Sequence, residues 1–377
     1  MKVRLGDYIK EYSEKNKADE KIPVYSVTNT QGFCQDYFGK EVASKDKTTY
    51  KIVPRGCFAY NPSRINVGSV DWQRNEERVI VSPLYNVFSV SKELDQEYLY
   101  YYLKSDFALQ RIRVVATGSV RDNLKLEMLK EFPILLPPKD IQKAIANNLD
   151  RVKRIIALRK IEIEKLDELI KARFVEMFGD VIRNDRGWPV RKFSDITNSR
   201  LGKMLDAKQQ TGTCMYPYLA NYNVQWFRFE LDTLNQMDFN DKDREEFALE
   251  DGDLLVCEGG EIGRCAVWHN QVENCYFQKA LHRVRCNRDL ILPDYLAWWF
   301  KYNCENGGFV AIEGAKATIS HLTGAKMKDL DVAIPDIKDQ CLFVEFIKQV
   351  NKSKVAVQKA LDETKLLFDS LMQQYFG

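Results

Sequence analysis

The sequence predicts an α+β protein with a pseudo-two-fold internal repeat: two similar globular units separated by two long antiparallel helices that form a coiled coil. Three observations predict this fold class. The chain repeats itself, each copy ends in a helical stretch without breakers, and the rest of each copy has the pattern of short strands and turns. The 377 residues suit two or three domains of about 100–200 residues.

The internal repeat covers nearly the whole chain. Residues 122–179 align without a gap with residues 320–377, an offset of 198 that places Gln142 on Gln340. Toward the start of the chain the offset falls to 188. A drifting offset is expected for two diverged copies that have gained small insertions, so the two halves are predicted to share one architecture.

The first globular unit is predicted to occupy residues 1–136. Within it, "RGCFAY", "NPSRINVG" and "RVIVS" have the pattern of strand, turn and strand, and "DQEYLYYYLKSDFALQRI" is apolar and aromatic at helical spacing. We therefore expect a twisted, mainly antiparallel sheet with a few helices.

The next segment, residues 137–180, is predicted to be one long helix. Residues 139–178 contain neither Gly nor Pro, so about 38 residues can form a helix about 57 Å long. Pro137 and Pro138 mark its start, and Gly179 its stop. Apolar residues alternate at spacings of three and four, as in a coiled-coil seam, at Ile145, Leu149, Val152, Ile156, Ile163, Leu166 and Ile170.

The second copy repeats this order, with a globular unit at 181–334 and a helix at 335–377. "DLLVCE", "GGEIG" and "RCAVW" again suggest strand, turn and strand, and "LPDYLAWWFKYNCENG" a helix. The helix carries its own seam at Phe343, Ile347, Val350, Val357, Leu361 and Phe368.

The order globule, helix, globule, helix favours antiparallel helices, because the second helix can then return the chain along the first. Polar residues interrupt the two seams at different positions, which also suggests that the seams pack on each other. This arrangement would separate the globular units by a rod of about 50 Å. The alternative is that each helix packs on its own globular unit.

Composition indicates a soluble cytoplasmic protein. The nine cysteines are scattered with no C-x-x-C pair, as expected for reduced thiols. No apolar stretch approaches the roughly 20 residues that cross a membrane, and the start of the chain lacks an apolar signal core. A net charge of +2 argues against binding nucleic acid by bulk electrostatics alone but leaves local basic faces possible.

Sequence motifs for catalysis are missing. There is no P-loop, "GGEIG" lacks the spacing of a nucleotide fingerprint, and "NPSR" lacks the aromatic residue of a DNA-methyltransferase motif. Cysteines 257, 265, 275 and 286 with two histidines raise the alternative of zinc, but their wide spacing favours buried strand cysteines. We expect a non-catalytic chain without its own cofactor or metal. A degenerate or fused DNA methyltransferase or nuclease is the enzymatic alternative.

Polar and basic residues concentrate in the loops of both globular units. Arg and Asn side chains can contact base edges, and Lys suits phosphates, although each residue could also be a solvated surface charge. Gly118 in "TGSVRDNL" could bring backbone amides to a phosphate beside Arg121. The candidates for binding DNA are Arg55, Arg64, Asn66, Arg74, Gly118 and Arg121, then Arg200, Lys203, Arg228, Arg264, Lys279 and Lys316.

Two globular units alternating with two proline-led helices that end in Phe-Gly resemble the specificity subunit of type I restriction–modification enzymes. The resemblance covers the whole chain and lies in "FPILLPPKDIQ" with its helix to "MFGD", "LDVAIPDIKDQ" with its helix to "YFG", the "TGSVRDNL" loop, and "GDLLVCEGGEIG". It implies that the globular units are target recognition domains, each reading half of a bipartite site in double-stranded DNA. The helices would be conserved spacers that fix the gap.

The resemblance also implies partners. Two DNA-methylating subunits would bind S-adenosylmethionine, and restriction subunits that use ATP and Mg would join through them. One departure weakens the match, because the second copy has Lys316-Ala317-Thr318 where the first has Gly118 and Arg121 nearby. A scaffold that binds only proteins is a further alternative.

Overall fold

The computed structural model describes residues 2–35, 46–116, 123–205, 210–310 and 321–377. The chain forms two compact units. The first unit contains Met1–Glu162 and Val357–Gly377, and the second contains Ile163–Ala356.

Two helices of 40 residues each dominate the chain. The first long helix spans Lys139–Phe178 and the second long helix spans Ile337–Phe376. Both helices begin just after prolines, which are tolerated at the start of a helix but not in its interior. Gly179, with φ of +72°, ends the first long helix. The two long helices predicted from the sequence are therefore confirmed, and each compact unit holds a globular part, called its head, together with part of each helix.

In the described part of the chain, the first head consists of short strands and three short α-helices. Its strands are β1 (Lys2–Arg4), β2 (Ile9–Glu11), β3 (Ser26–Thr28), β4 (Gly32–Cys34), β5 (Lys51–Pro54), β6 (Phe58–Tyr60), β7 (Val70–Trp72), β8 (Arg78–Val81), β9 (Asn86–Val90) and β10 (Pro133–Leu135). Its helices are α1 (Gln96–Leu103), α2 (Asp106–Val115) and α3 (Leu126–Lys130).

The second head has the same kinds of element. Its strands are β11 (Val190–Lys192), β12 (Thr197–Leu201), β13 (Met215–Leu219), β14 (Val224–Gln225), β15 (Arg228–Phe229), β16 (Asn235–Asp238), β17 (Leu254–Cys257), β18 (Cys265–Val267), β19 (Tyr276–Phe277), β20 (Leu281–Cys286) and β21 (Asp331–Ala333). In helix numbering the long helices are α4 and α9, and the short helices of this head are α5 (Phe193–Ile196), α6 (Asp241–Glu246), α7 (Pro293–Glu305) and α8 (Gly324–Lys328).

The internal repeat appears in the sheet topology. A four-stranded antiparallel sheet in the order β2-β9-β6-β7 lies in the first head, and its counterpart in the second head has the order β12-β20-β17-β18. In both heads the first strand pairs with the last, β1 with β10 and β11 with β21. The second head adds a three-stranded sheet in which β13 and β19 run parallel.

The heads pack apolar and aromatic side chains from the sheet against α1 or α7. In the first head, Phe58 and Phe88 face each other across β6 and β9 with ring centroids 5.1 Å apart. Both rings are fully buried, as are Tyr295 and Phe300 of α7 in the second head. Burying such large aromatic rings contributes about 1.5–3 kcal/mol each, so these contacts form the core of each head.

Within the first unit the two long helices are antiparallel. Tyr101 of α1 donates to Asp150 at 2.6 Å and its ring lies 6.3 Å from Phe368. Farther along the first long helix, Arg159 donates to Thr364, which precedes Phe368 in the second long helix. The residue numbers rise along one helix as they fall along the other, so the helices are antiparallel.

The second unit shows the same direction. Asp167 of the first long helix bonds to Lys354 of the second, and Phe174 lies 5.5 Å from Phe343. The last turns of the first long helix are also buried in the core of the second head, where Phe178 packs on Tyr295 at 4.9 Å. The alternative in which each long helix packs only on its own head is therefore wrong.

The predicted seams are the buried faces of both helices. Every seam residue predicted from the sequence is buried or half-buried, while most intervening positions are exposed. In the part of the chain that the structure describes, no helix is long and apolar enough to cross a membrane.

Candidate nucleic-acid interface

A tight turn at the end of β6 presents two of the candidate residues in the first head. Asn61 starts this turn, since its side-chain oxygen accepts from the backbone N–H of Ser63 at 3.1 Å and from its hydroxyl at 2.9 Å. The turn closes at Gly68, whose φ of +85° favours glycine. Ile65 is fully buried beneath the turn, and its neighbour Arg64 is exposed.

Residues 123–125 are fixed against this turn. Leu124 donates its N–H to the carbonyl of Pro62 at 3.1 Å, and its own carbonyl accepts from the hydroxyl of Tyr60 at 3.1 Å. We call residues 61–68 and 123–125 the first corner. Gly118 and Arg121 lie outside the described residues, in the segment that leads into it.

The first corner carries exposed positive charge. Arg64 and Lys125 are both exposed, and neither has an ion-pair partner among the residues that the structure describes. Asn66 is half-buried in the same turn. An amide and two unpaired cations on one short surface suit contacts with base edges and phosphates.

The second head repeats this construction. Leu322 donates its N–H to the carbonyl of Glu258 at 2.7 Å, as Leu124 does to Pro62. A side chain at Gly259 would come within 2.9 Å of the His321 ring, so a glycine lets the turn approach this segment closely. We call residues 258–264 and 321–323 the second corner. Lys316 lies outside the described residues, in the segment that precedes it.

Arg264 stabilises the second corner from within. Its guanidinium donates to the backbone carbonyl of Asn221 at 3.0 Å and to the side-chain oxygen of the same residue at 2.7 Å, and only 16% of its side chain is exposed. It therefore braces the turn more than it offers charge to a ligand. No sequence signal points to Asn221 in this role, because the two residues are 43 positions apart.

Lys279 lies beside the second corner on the turn between β19 and β20. Ala280, its neighbour, accepts a hydrogen bond from the N–H of Glu258 at 2.9 Å and has a φ of +113°, a strained value for a residue other than glycine. The strain persists because surrounding backbone bonds hold the turn, including one from the Lys279 N–H to the carbonyl of Lys203 at 2.7 Å. The Lys279 side chain is exposed and has no ion-pair partner in the described part of the chain.

Other residues predicted to bind DNA are paired with groups of the protein itself. Arg74 lies between the rings of Trp72 and Tyr100 at 4.5 and 5.1 Å, and bonds to Asp71 at 2.6 Å and Glu97 at 3.0 Å. Two carboxylates already neutralise this guanidinium, so it has little charge left for a phosphate.

Four more candidates are similarly engaged. Lys203 bonds to Asp243 at 2.6 Å, and Arg55 donates to the backbone carbonyl of Asn75 at 2.6 Å. The remaining two form ion pairs, Arg200 with Glu246 and Arg228 with Glu230. Of these, Arg55 alone keeps a net charge, since its partner is a carbonyl.

A carboxylate whose role was not predicted from the sequence orders a loop of the second head. Asp238 accepts the backbone N–H groups of Cys214 and Gly212, each at 2.8 Å, and these bonds hold the pKa of its carboxyl below the usual value. An aspartate in a polar stretch gives no sequence signal for such a role.

Three cysteines of the second head are ordinary core residues, and Cys214, Cys286 and Cys304 are half-buried. Cys257, Cys265 and Cys275 are buried, and burial raises the pKa of the Cys257 thiol to about 11 and that of Cys275 to about 12. Among the described residues no group of His, Cys, Asp and Glu side chains is arranged to hold a metal ion.

The chain belongs to the family described as the type I restriction modification DNA specificity domain. The family profile matches twice, at residues 2–168 and 185–364, so the chain carries two copies of the domain. The resemblance to a type I specificity subunit and the DNA-recognition role it implies are thereby confirmed.

Curated relatives agree with this assignment. The EcoKI specificity subunit of Escherichia coli K12 is 20% identical over 393 aligned residues, which cover 98% of this chain and 84% of the relative. A putative type I restriction enzyme specificity subunit of Haemophilus influenzae is 24% identical over 337 residues, covering 86% of this chain and 79% of the relative.

Solved structures show the same fold. A chain from a study of complex assembly and conformational transition of the type I R-M system aligns with a TM-score of 0.66 at 16% identity, covering 100% of this chain and 97% of its own. The specificity subunit from M. genitalium aligns at 0.55, with 15% identity and coverage of 100% and 96%. The HsdS subunit from Thermoanaerobacter tengcongensis aligns at 0.52, with the same identity and coverage.

Proposed function

We propose that each head reads one half of a split DNA target, and that the two long helices set the number of unread base pairs and bind the methylating subunits. The observation that carries this proposal is the repeated corner. In the first head the backbone N–H of Leu124 donates to the carbonyl of Pro62 in the turn after β6. In the second head the N–H of Leu322 donates to the carbonyl of Glu258 in the turn after β17.

The corners share the hydrogen bond from the leucine but differ in side chains. At the offset of 196 that aligns these turns, Asn66 corresponds to Ile262. Base edges are distinguished by the donors, acceptors and apolar groups that face them. The two heads therefore recognise different half-sites, and the whole target is asymmetric.

The small net charge of +2 limits what the chain does alone. The two exposed cations of the first corner, which have no ion-pair partner among the described residues, are few compared with the 6–10 or so phosphate contacts of tightly bound DNA-binding proteins. The partner subunits supply further phosphate contacts, so the isolated chain binds DNA weakly and its affinity falls steeply with salt.

Catalysis belongs to the partners in this proposal. Two methylating subunits bring S-adenosylmethionine, and restriction subunits, joined through them, bring ATP and Mg chemistry. The chain itself is a non-catalytic recognition subunit that works in the cytoplasm without a cofactor of its own.

Exchange of one head tests the proposal. Residues 181–334 are replaced by the equivalent segment of a relative, and the hybrid is expressed with its methylating partner in a host whose methylated sites are then sequenced. We expect one half of the methylated target to change while the other half and the gap stay the same.

Three outcomes would contradict the proposal. A change in both halves would show that one head reads the whole site, and no change would show that this head binds only protein. Binding of S-adenosylmethionine by the purified chain would favour a fused or degenerate methyltransferase.

A further inference from the structure

A buried glutamine ties the first long helix to its head. The side-chain oxygen of Gln142 accepts the backbone N–H of Asp95 at 2.8 Å. Its amide nitrogen donates to the carbonyl of Glu93 at 3.0 Å and to that of Pro137 at 2.8 Å. One carboxamide thus joins the start of α1, the loop before it, and the residues that open the long helix.

The second unit repeats this arrangement bond for bond. The side-chain oxygen of Gln340 accepts the N–H of Leu292 at 2.8 Å, and its amide donates to the carbonyls of Leu290 at 3.0 Å and Pro335 at 2.8 Å. Both glutamines are fully buried at 0% exposure. Two diverged copies therefore keep the same polar contact where an apolar side chain could fill the space.

An aromatic contact completes each connection. In the first unit Phe376, at the end of the second long helix, lies 5.1 Å from Tyr98, whose hydroxyl donates to the carbonyl of Leu135 at 2.9 Å. Each head thus holds the start of one long helix and the end of the other. We call Gln142, Tyr98 and Phe376 the first joint.

In the second unit Phe178 lies 4.9 Å from Tyr295, whose hydroxyl donates to the carbonyl of Ala333 at 2.9 Å. We call Gln340, Tyr295 and Phe178 the second joint.

The two kinds of contact restrain the helix differently. The burial of apolar surface is non-directional and tolerates small shifts, whereas hydrogen bonds weaken steeply when their angles are distorted. Two bonds from each planar amide reach backbone groups of the head and the third reaches the proline before the long helix, so together they fix the angle at which the helix leaves the head. A helix of about 60 Å that tilts by about 5° at one end moves its other end by about 5 Å, more than one DNA step of about 3.4 Å.

We propose that Gln142 and Gln340 are positioning residues that determine how strictly the protein discriminates spacer length. This inference rests on the proposed function, in which the long helices set the unread gap. The glutamines contact no base, so they affect the tolerated gap and leave the recognised bases unchanged.

The test uses Gln142→Met, Gln340→Met and the double variant in the complete complex with the methylating subunits. Methionine matches the length and linear shape of glutamine but makes none of the three bonds. Methylation rates are measured on duplexes that carry both half-sites with the gap varied one base pair at a time. Gln358→Leu is the control, since Gln358 is an exposed residue of the second long helix that bonds only to Asp362 among the described contacts.

We expect the wild type and the control to prefer one gap by at least about tenfold over gaps one base pair longer or shorter. Each methionine variant should reduce that preference to about threefold or less, and half-site substitutions should remain as damaging as in the wild type. Because the joints are separate, a variant that fails to assemble at one joint leaves the other to test the same inference.

A folded methionine variant with an unchanged gap preference would overturn the inference, and so would an equal loss of rate at every gap, which is the mark of a merely structural role. A wild-type complex without any gap preference would instead overturn the proposed function.

Discussion

Removing the unpaired cations of the first corner should change how DNA binding depends on salt. Arg64 and Lys125 are exposed and have no ion-pair partner in the described chain, so both are available to neutralise phosphates. Each phosphate contact contributes about 0.9 to the slope of log affinity against log salt. The variants Arg64→Gln and Lys125→Gln should therefore each reduce the slope by about 0.9, and the double variant by about 1.8.

This slope translates into a measurable difference. Between 50 and 200 mM salt, or about a fourfold increase, the double variant should lose about twelvefold less affinity than the wild type. The assay is a fluorescence-anisotropy titration of the complex with methylating subunits against a labelled duplex that contains the target. Affinity for target and non-target duplexes should fall by similar factors if the cations contact phosphates.

Lys17→Gln is the matched control, because Lys17 is exposed but lies outside the corner. Its slope should equal that of the wild type. An unchanged slope in the corner variants would refute the placement of DNA at the first corner, and an equal effect in the control would show that only overall charge matters.

Four other substitutions test the fold. Tyr295→Phe should cost about 1–3 kcal/mol in thermal unfolding, since it removes the donor to the buried carbonyl of Ala333, whereas Tyr98→Phe should cost about 0.5–1.5 kcal/mol, since its bond to the carbonyl of Leu135 is only part-buried; a larger loss for Tyr98→Phe would contradict this reasoning. Arg159→Leu should raise stability by about 1 kcal/mol, because it replaces a polar contact with Thr364 by apolar packing in the seam, and a lower melting temperature would contradict this. Burial lowers the pKa of His282, so the folded protein binds a proton less readily than the unfolded chain and loses stability as the pH falls below about 6.5. His282→Gln should flatten that loss in denaturation curves compared at neutral and acidic pH, and an unchanged loss would show that another group is responsible.

The long helices could be predicted because their signals are local. A stretch without Gly or Pro and a spacing of three and four depend only on neighbours along the chain, and Leu149 and Val350 are buried as the seams predict. The direction of packing followed from chain order alone. The repeat also pointed to Gln142 and Gln340, but no sequence pattern shows the three backbone groups that each amide meets.

The binding site was harder to predict because its residues meet through the fold. Arg74 and Glu97 are 23 residues apart and Lys203 and Asp243 are 40 apart, so the sequence could not show that these cations are already paired. Likewise, Leu124 meets a turn about 60 residues earlier in the chain. Basic residues in a loop are easily found, but which of them remain free depends on tertiary contacts.

Shortening both long helices tests the central claim most directly. Deleting residues 156–162 and 358–364 removes one heptad from each helix at positions that face each other. Because a heptad is about two whole helical turns, the remaining seam residues stay nearly in register. The loss of about 10 Å of helix corresponds to about three base pairs at 3.4 Å per step. Sequencing of methylated sites should show both half-sites unchanged and the gap between them shorter by about three base pairs. A gap of the original length, or a change in the recognised bases, would contradict the account.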